Sequence, residues 1–268
     1  LEKTKRYWHQ WRGPEATGMS VTASPPVTWS EENNIRWKVP LKGQGNASPI
    51  VWDDKIFVLA AVDTKVVDPS LPPPEEQPER VFGITFPNTL FQFEVLCFDR
   101  FTGKKLWQQT ATEKVPHEGT HHHADFACAS PVTDGERLYC WFGSAGMYCY
   151  SLDGTLLWKR DLGEVRVGAS LGEGCSPVLH HGRIIIVRDH SGQSSIEVLE
   201  AATGQTVWKR TRAEKNAWAT PKIFTKDGER TQVITAASNF IRSYDLDTGE
   251  VIWQCSGLTG NVTPSPVI

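Results

Sequence analysis

Two stretches of the chain decide its fold. Asp99-Arg100-Phe101-Thr102-Gly103-Lys104-Lys105-Leu106-Trp107 and Asp245-Leu246-Asp247-Thr248-Gly249-Glu250-Val251-Ile252-Trp253 are two copies of one sentence. Its core, a glycine followed four residues later by tryptophan, occurs twice more, at Gly154–Trp158 and Gly204–Trp208. A second mark, Ser or Thr before Pro, recurs at Ser48-Pro49, Ser130-Pro131, Ser176-Pro177, Thr220-Pro221 and Ser265-Pro266. The last four prolines are 46, 44 and 45 residues apart. A period near 45 residues with several short strands in each period is the signature of a repeat array.

Each period divides into four strand candidates, A to D, rich in Val, Ile, Tyr, Phe and Trp and separated by Asp-Gly, Ser-Gly and Thr-Gly turns. Four-stranded units of this length, repeated side by side, are the blades of an all-β propeller. The predicted blades cover 46–111, 127–163, 174–212 and 217–257, with a fifth beginning at 262–268. Residues 1–45 form an N-terminal arm, and 34–41 within it read as an outer strand that closes the ring. A proline- and acid-rich insertion, about 63–92, interrupts the first blade as a surface loop. Four complete blades are too few for a closed ring. The family that these repeats resemble implies seven or eight, the rest coming from further sequence or, as an alternative, from a second half-ring chain. In each blade the tryptophan would cover the face of its neighbour, and the glycine would allow the tight C–D turn and close approach.

Composition sets the outer limits. The net charge of −3 and pI near 6.3 argue against a nucleic-acid partner, which requires a basic face. No run of 18 apolar residues marks a membrane-spanning helix. The six cysteines show no metal-binding spacing; Cys140 and Cys149 flank a short turn and are the one candidate pair for a cross-strand disulfide.

On these residues the chain resembles the quinoprotein-type, PQQ-like propeller repeat, Ala-x-Asp-x-x-Thr-Gly-x-x-x-Trp. Asp99, Thr102, Gly103 and Trp107 match it, as do Asp245, Thr248, Gly249 and Trp253. The third unit has Glu200, Thr203, Gly204 and Trp208; the contracted second has Asp153, Gly154 and Trp158. The leading Ala is replaced by Cys97, Tyr148, Val198 and Ser243. Trp8-His9-Gln10-Trp11-Arg12-Gly13-Pro14 and Leu258-Thr259-Gly260-Asn261-Val262 are similar to the BamB-like group of bacterial envelope propellers. That resemblance implies a periplasmic or envelope location and a non-catalytic scaffold. The quinoprotein members imply a different use of the fold: PQQ and Ca²⁺, a carboxylate base, an Arg near the quinone and a flat apolar platform, often with a vicinal Cys pair. No such Cys pair is present.

Strand order places the D–A connections and B–C turns at one end of the propeller, so all the long segments share a face. On that face lie Glu173, Asp189, Arg166 and His190, candidates for acid, base and quinone contacts, and Trp218, a candidate platform. The segment His117–Asp125 offers a second chemistry. In an extended strand His121, His123 and Asp125 would point the same way and could ligate a metal. Three functions follow: a scaffold holding a protein or peptide partner on the elaborated face, a PQQ- and Ca²⁺-dependent oxidoreductase, and a metal-dependent enzyme built on the His loop.

Overall fold

The computed structural model describes residues 2–20, 22–226 and 228–268; Leu1 and Val21 of the arm and Asp227 lie outside the described residues. Sixteen strands form four antiparallel four-stranded sheets, each in simple chain order. The first holds β1 (Ile50–Trp52), β2 (Lys55–Val67), β3 (Thr89–Asp99) and β4 (Lys105–Lys114); the second β5 (Val132–Thr133), β6 (Arg137–Trp141), β7 (Met147–Ser151) and β8 (Leu156–Arg160). The third holds β9 (Val178–His180), β10 (Arg183–Arg188), β11 (Ser195–Glu200) and β12 (Thr206–Thr211); the fourth β13 (Lys222–Phe224), β14 (Gln232–Ala236), β15 (Ile241–Asp245) and β16 (Val251–Cys255). These are the blades of a β-propeller.

The period-2 alternation of each strand puts one set of side chains against each neighbouring sheet. Leu138, Cys140 and Tyr150 face the first sheet and meet Phe57, Leu59 and Val95. Tyr139, Met147 and Cys149 face the third and meet Ile184, Ile186 and Leu199. Cys149 stands opposite Tyr139 in the ladder. Cys140 and Cys149 therefore point to opposite sides, and the candidate disulfide between them does not form; all six cysteines are free thiols.

Two repeated contacts join the sheets. The Trp107 ring lies on Gly154, Trp158 on Gly204 and Trp208 on Gly249, so that a Cβ on any of these glycines would come within 2.6–2.8 Å of the indole. Each indole N–H also donates to a carbonyl of that same turn, Leu152, Ala201 and Leu246, at 3.0, 3.0 and 2.7 Å. The glycines have φ of 92°, 70° and 69°, the left-handed region that an L side chain resists. In the Asp-x-x-Thr-Gly turns, Asp99 Oδ1 accepts from the Phe101 and Thr102 amides and the Thr102 hydroxyl, and Asp245 does the same for Asp247 and Thr248.

The Ser/Thr-Pro marks form the second contact. The amide of Ser48 donates to Ser130 Oγ, Ser130 to Ser176 Oγ, Ser176 to Thr220 Oγ1 and Thr220 to Ser265 Oγ, at 2.9–3.1 Å. A relay of hydroxyls thus links the entries of successive innermost strands. It also shortens those strands to two or three residues, because amides used between sheets are not available to the ladder within one.

Three boundaries differ from the sequence reading. The expected loop at 63–92 is sheet at its ends: residues 63–67 belong to β2, residues 89–92 belong to β3, and only 68–88 is loop. Residues 34–41 form no strand, yet Trp37 lies on Gly103 as the other tryptophans lie on theirs, and its Nε1 donates to Arg100 O at 3.0 Å. Residues 264–268 likewise form no strand. The arm follows the innermost strands: Val51 N donates to Trp8 O at 2.7 Å, Thr133 N to His9 O at 3.1 Å, and Lys222 Nζ to Glu15 O.

Replacing Trp208, which is 7 % exposed, with Ala is expected to lower stability in urea denaturation by about 3 kcal/mol. Trp253 is 40 % exposed and bonds only to Gln232 of its own sheet. Trp253→Ala is expected to cost under about 1 kcal/mol; equal losses would refute the importance given to the neighbouring turn.

Candidate functional site

The connections between sheets interlock on one face. His117 Nε2–H donates to Val165 O at 2.7 Å, and Glu118 Oε2 accepts from Val167 N at 3.0 Å, tying the connection after β4 to that after β8. Asn216 Oδ1 then accepts from Gly168 N at 2.9 Å and from Ser191 Oγ at 3.1 Å, extending the collar to the third and fourth sheets. The loop 68–88 joins it: Ile84 is buried against Gly119, and the Phe82 ring meets His121 edge-on at 5.6 Å. The sequence separates these segments widely; the sheet order brings them together.

Glu173 lies at the centre of the collar. It borders a cavity of about 50 Å³ on one side and another of about 30 Å³ on the other. Its Oε1 accepts from Ser144 N at 3.0 Å, and its carboxylate packs on Gly143, whose φ of 57° and missing Cβ make the room. Burial raises its pKa above the ordinary carboxyl value, against the Ser144 N–H, His117 and Arg188, which favour the charged form. Lys114 Nζ donates to Ser144 O at 2.9 Å and holds the same turn from the other side.

The remaining predicted residues divide. Asp189 and Trp218 border the smaller cavity with Glu173, but each is already engaged. Both oxygens of Asp189 accept from Arg212, at 2.7 and 3.0 Å, in an ion pair whose side chains are wholly buried. Trp218 Nε1 donates to Gly172 O at 2.7 Å with its ring edge beside Gly174. His190 Nδ1 accepts the amides of Arg166 and Gly192, and burial followed by the charge of Arg188 lowers its pKa; the ring is a neutral loop cap. Arg166 is exposed and joins the site only through its backbone. The guanidinium beside Glu173 is Arg188, which the sequence places inside the strand candidate Arg183–Asp189. Its Nη atoms donate to Leu162 O and Gly163 O, its Nε is buried without a partner, and burial lowers its pKa. One clue existed: a charged residue ending a four-residue apolar run.

The His segment does not adopt the extended form on which a metal triad depends. Ala124 N donates to His121 O, turning the chain, and His121 Nδ1 accepts from His123 N at 3.2 Å. The three rings of His121–His123 stack outside, with neighbouring centroids 4.0 Å apart, while Asp125 turns inward and accepts from Ala127 N at 2.7 Å. Among the described residues no group of three or more His, Cys, Asp or Glu side chains is placed to hold a metal ion.

The PQQ cofactor implied by the repeat resemblance is a flat multi-ring quinone. Cavities of about 50 and 30 Å³ hold a few waters each. With Asp189 committed to Arg212 and Trp218 turned to Gly172, these residues do not fit it as arranged, and no chemical step follows from it here.

Comparison with known proteins agrees with the fold. The family model described as outer membrane protein assembly factor BamB matches residues 92–263. A quinohemoprotein alcohol dehydrogenase from Comamonas testosteroni aligns at 13 % identity and TM-score 0.53, covering 82 % of this chain and 36 % of its own. The quinohemoprotein alcohol dehydrogenase ADHIIG from Pseudomonas putida HK5 aligns at 14 % and 0.53, covering 96 % and 41 %. BamB from Moraxella catarrhalis aligns at 16 % and 0.42, covering 65 % and 51 %. This chain thus spans about a third to a half of the length of these structures. No curated protein matches it in sequence.

The buried carboxyl of Glu173 yields a signed prediction. Its folded pKa lies above the unfolded value of 4.5, so its effect on stability is most favourable below that pH and becomes adverse as pH rises through the folded pKa. Glu173→Gln, which keeps an acceptor for Ser144 N–H, is expected to raise Tm at pH 7.5 and leave it unchanged at pH 4. A lower Tm at pH 7.5 would show that the charged form is the one the fold prefers.

Proposed function

The chain belongs to the PQQ-like repeat family described as outer membrane protein assembly factor BamB, and from that premise we propose that it is a binding or scaffold propeller of the bacterial cell envelope. It holds a protein or peptide partner on the face that carries the long connections. The supporting observation is the collar itself. Four connections are fixed to one another by side-chain hydrogen bonds, giving a pre-formed surface on a rigid scaffold, while the opposite end carries the C–D and A–B turns with residues of the arm packed against them. Consistent with this reading, the candidates Asp189 and His190 are engaged, Asp189 with Arg212 and His190 Nδ1 with the Gly192 amide. Among the described residues no helix is long and apolar enough to cross a membrane.

The oxidoreductase alternative draws on one observation, the raised carboxyl of Glu173 beside Arg188 between two cavities. It requires those cavities to open for PQQ and Ca²⁺.

Two measurements separate the readings. A photo-crosslinking residue at Glu164 or His122, on the elaborated face, is expected to yield polypeptide adducts in envelope extract; the same residue at Gln205 or Glu250, in the opposite turns, is expected to yield none. Titration with PQQ and Ca²⁺ is expected to give no saturable change in the quinone absorption band. Saturable binding with alcohol-dependent dye reduction would replace the scaffold reading with the oxidoreductase.

A further inference from the structure

The first sheet is built differently from the other three. β2, β3 and β4 are 13, 11 and 10 residues long, against five or six for their counterparts. At about 3.3 Å per residue β2 is roughly 43 Å long, where a five-residue strand spans about 17 Å. The hairpin therefore stands above the collar, carrying the loop 68–88 at its tip.

That loop is organised. The Gln77 side chain accepts from Phe86 N at 2.8 Å and from Arg80 Nη1 at 3.1 Å, and donates to Phe86 O at 2.8 Å and Pro72 O at 3.2 Å. The Arg80 guanidinium covers the Phe86 ring at 3.9 Å. Asp68 N donates to Asn88 O and closes the base. What this frame presents is apolar: Val81 and Phe82 are 60 % and 66 % exposed. Phe82 is moreover held at φ 60°, a left-handed conformation that a bulky side chain resists. The Phe82 ring meets His121 edge-on yet stays mostly exposed, so a bonded frame holds an apolar ring largely in solvent at a strained backbone position. Such strain is a mark of a surface used for contact.

The charge of the segment is predominantly acidic. Asp63, Asp68, Glu75, Glu76 and Glu79 are offset in the sequence by Lys65 and Arg80, so 63–88 carries a net −3, equal to the net charge of the whole chain. Asp63 is paired with Lys65. Among the described residues Glu75, Glu76 and Glu79 form no ion pair.

Resting on the binding function proposed above, we propose that the 68–88 loop is a docking surface for a cationic, apolar-anchored protein segment. Val81 and Phe82 receive its apolar side chains, and Glu75, Glu76 and Glu79 attract its Lys or Arg residues. The acidic rim selects a basic polypeptide and repels an anionic lipid surface.

The test uses two fluorescent synthetic peptides, alternating Lys-Leu and alternating Glu-Leu, and phosphatidylglycerol vesicles, each titrated with the chain. Saturable binding of the Lys-Leu peptide alone is expected, weakening as salt rises. Phe82→Gly is the decisive variant, because glycine accepts the left-handed conformation. It is expected to lower peptide affinity about tenfold or more while Tm stays level or rises by about 2 °C. Glu75→Gln/Glu76→Gln/Glu79→Gln is expected to remove the salt dependence. Equal binding of both peptides, binding of the vesicles in place of the peptide, or unchanged affinity in Phe82→Gly would overturn this assignment. Adducts at Glu164 that persist in Phe82→Gly alongside such a result would leave the scaffold function intact and this docking surface refuted.

Discussion

Everything in this molecule depends on an indole ring lying on a glycine of the next sheet. A four-stranded sheet buries little by itself, and outside the first sheet the strands here have at most six residues. The contact works because three conditions coincide at one turn. The glycine takes a left-handed φ, its missing Cβ lets the ring approach, and the turn turns a carbonyl toward the indole N–H. Repetition of that contact, with the hydroxyl relay at the inner strands, fixes the angle between successive sheets. With the angle fixed, the connections are driven together on one face.

This explains why the repeat was legible and the site was not. The Gly–Trp and Ser/Thr-Pro marks are local in sequence and do their work at a fixed offset of one period, so spacing alone reveals them. Glu173 and Arg188 come together through the sheet order, and neither carries a local pattern. The His segment misled for the opposite reason: alternation suggests ligands only if the backbone is extended, and the Ala124–His121 hydrogen bond turns it. Cys140 and Cys149 show the same lesson, since neighbours across a turn need not face the same side of the sheet. Residues 34–41, expected as a ring-closing strand, form no ladder here, and Trp37 occupies the Gly103 turn without any strand around it, a contact the four Gly–Trp marks do not announce.

The functional consequence is a division of labour between polar groups. The buried charges of the third and fourth sheets are committed to structure: Arg212 joins Asp189, Thr235 and Tyr244, and Arg242 meets Glu214 at 3.1 Å. Such networks make the scaffold specific more than they make it stable. The surface left for contact is the collar and the tall hairpin above it. There the chain holds exposed apolar side chains, carboxylates outside any ion pair and a strained, mostly exposed aromatic residue.

The central claim, that this elaborated face is the binding surface, is tested most directly by hydrogen–deuterium exchange of the chain with and without the Lys-Leu peptide. The account predicts added protection in residues 68–88 and 117–125 and none in the C–D turns around Gly103, Gly154, Gly204 and Gly249. Protection confined to those turns, or spread evenly over both ends of the propeller, would contradict it.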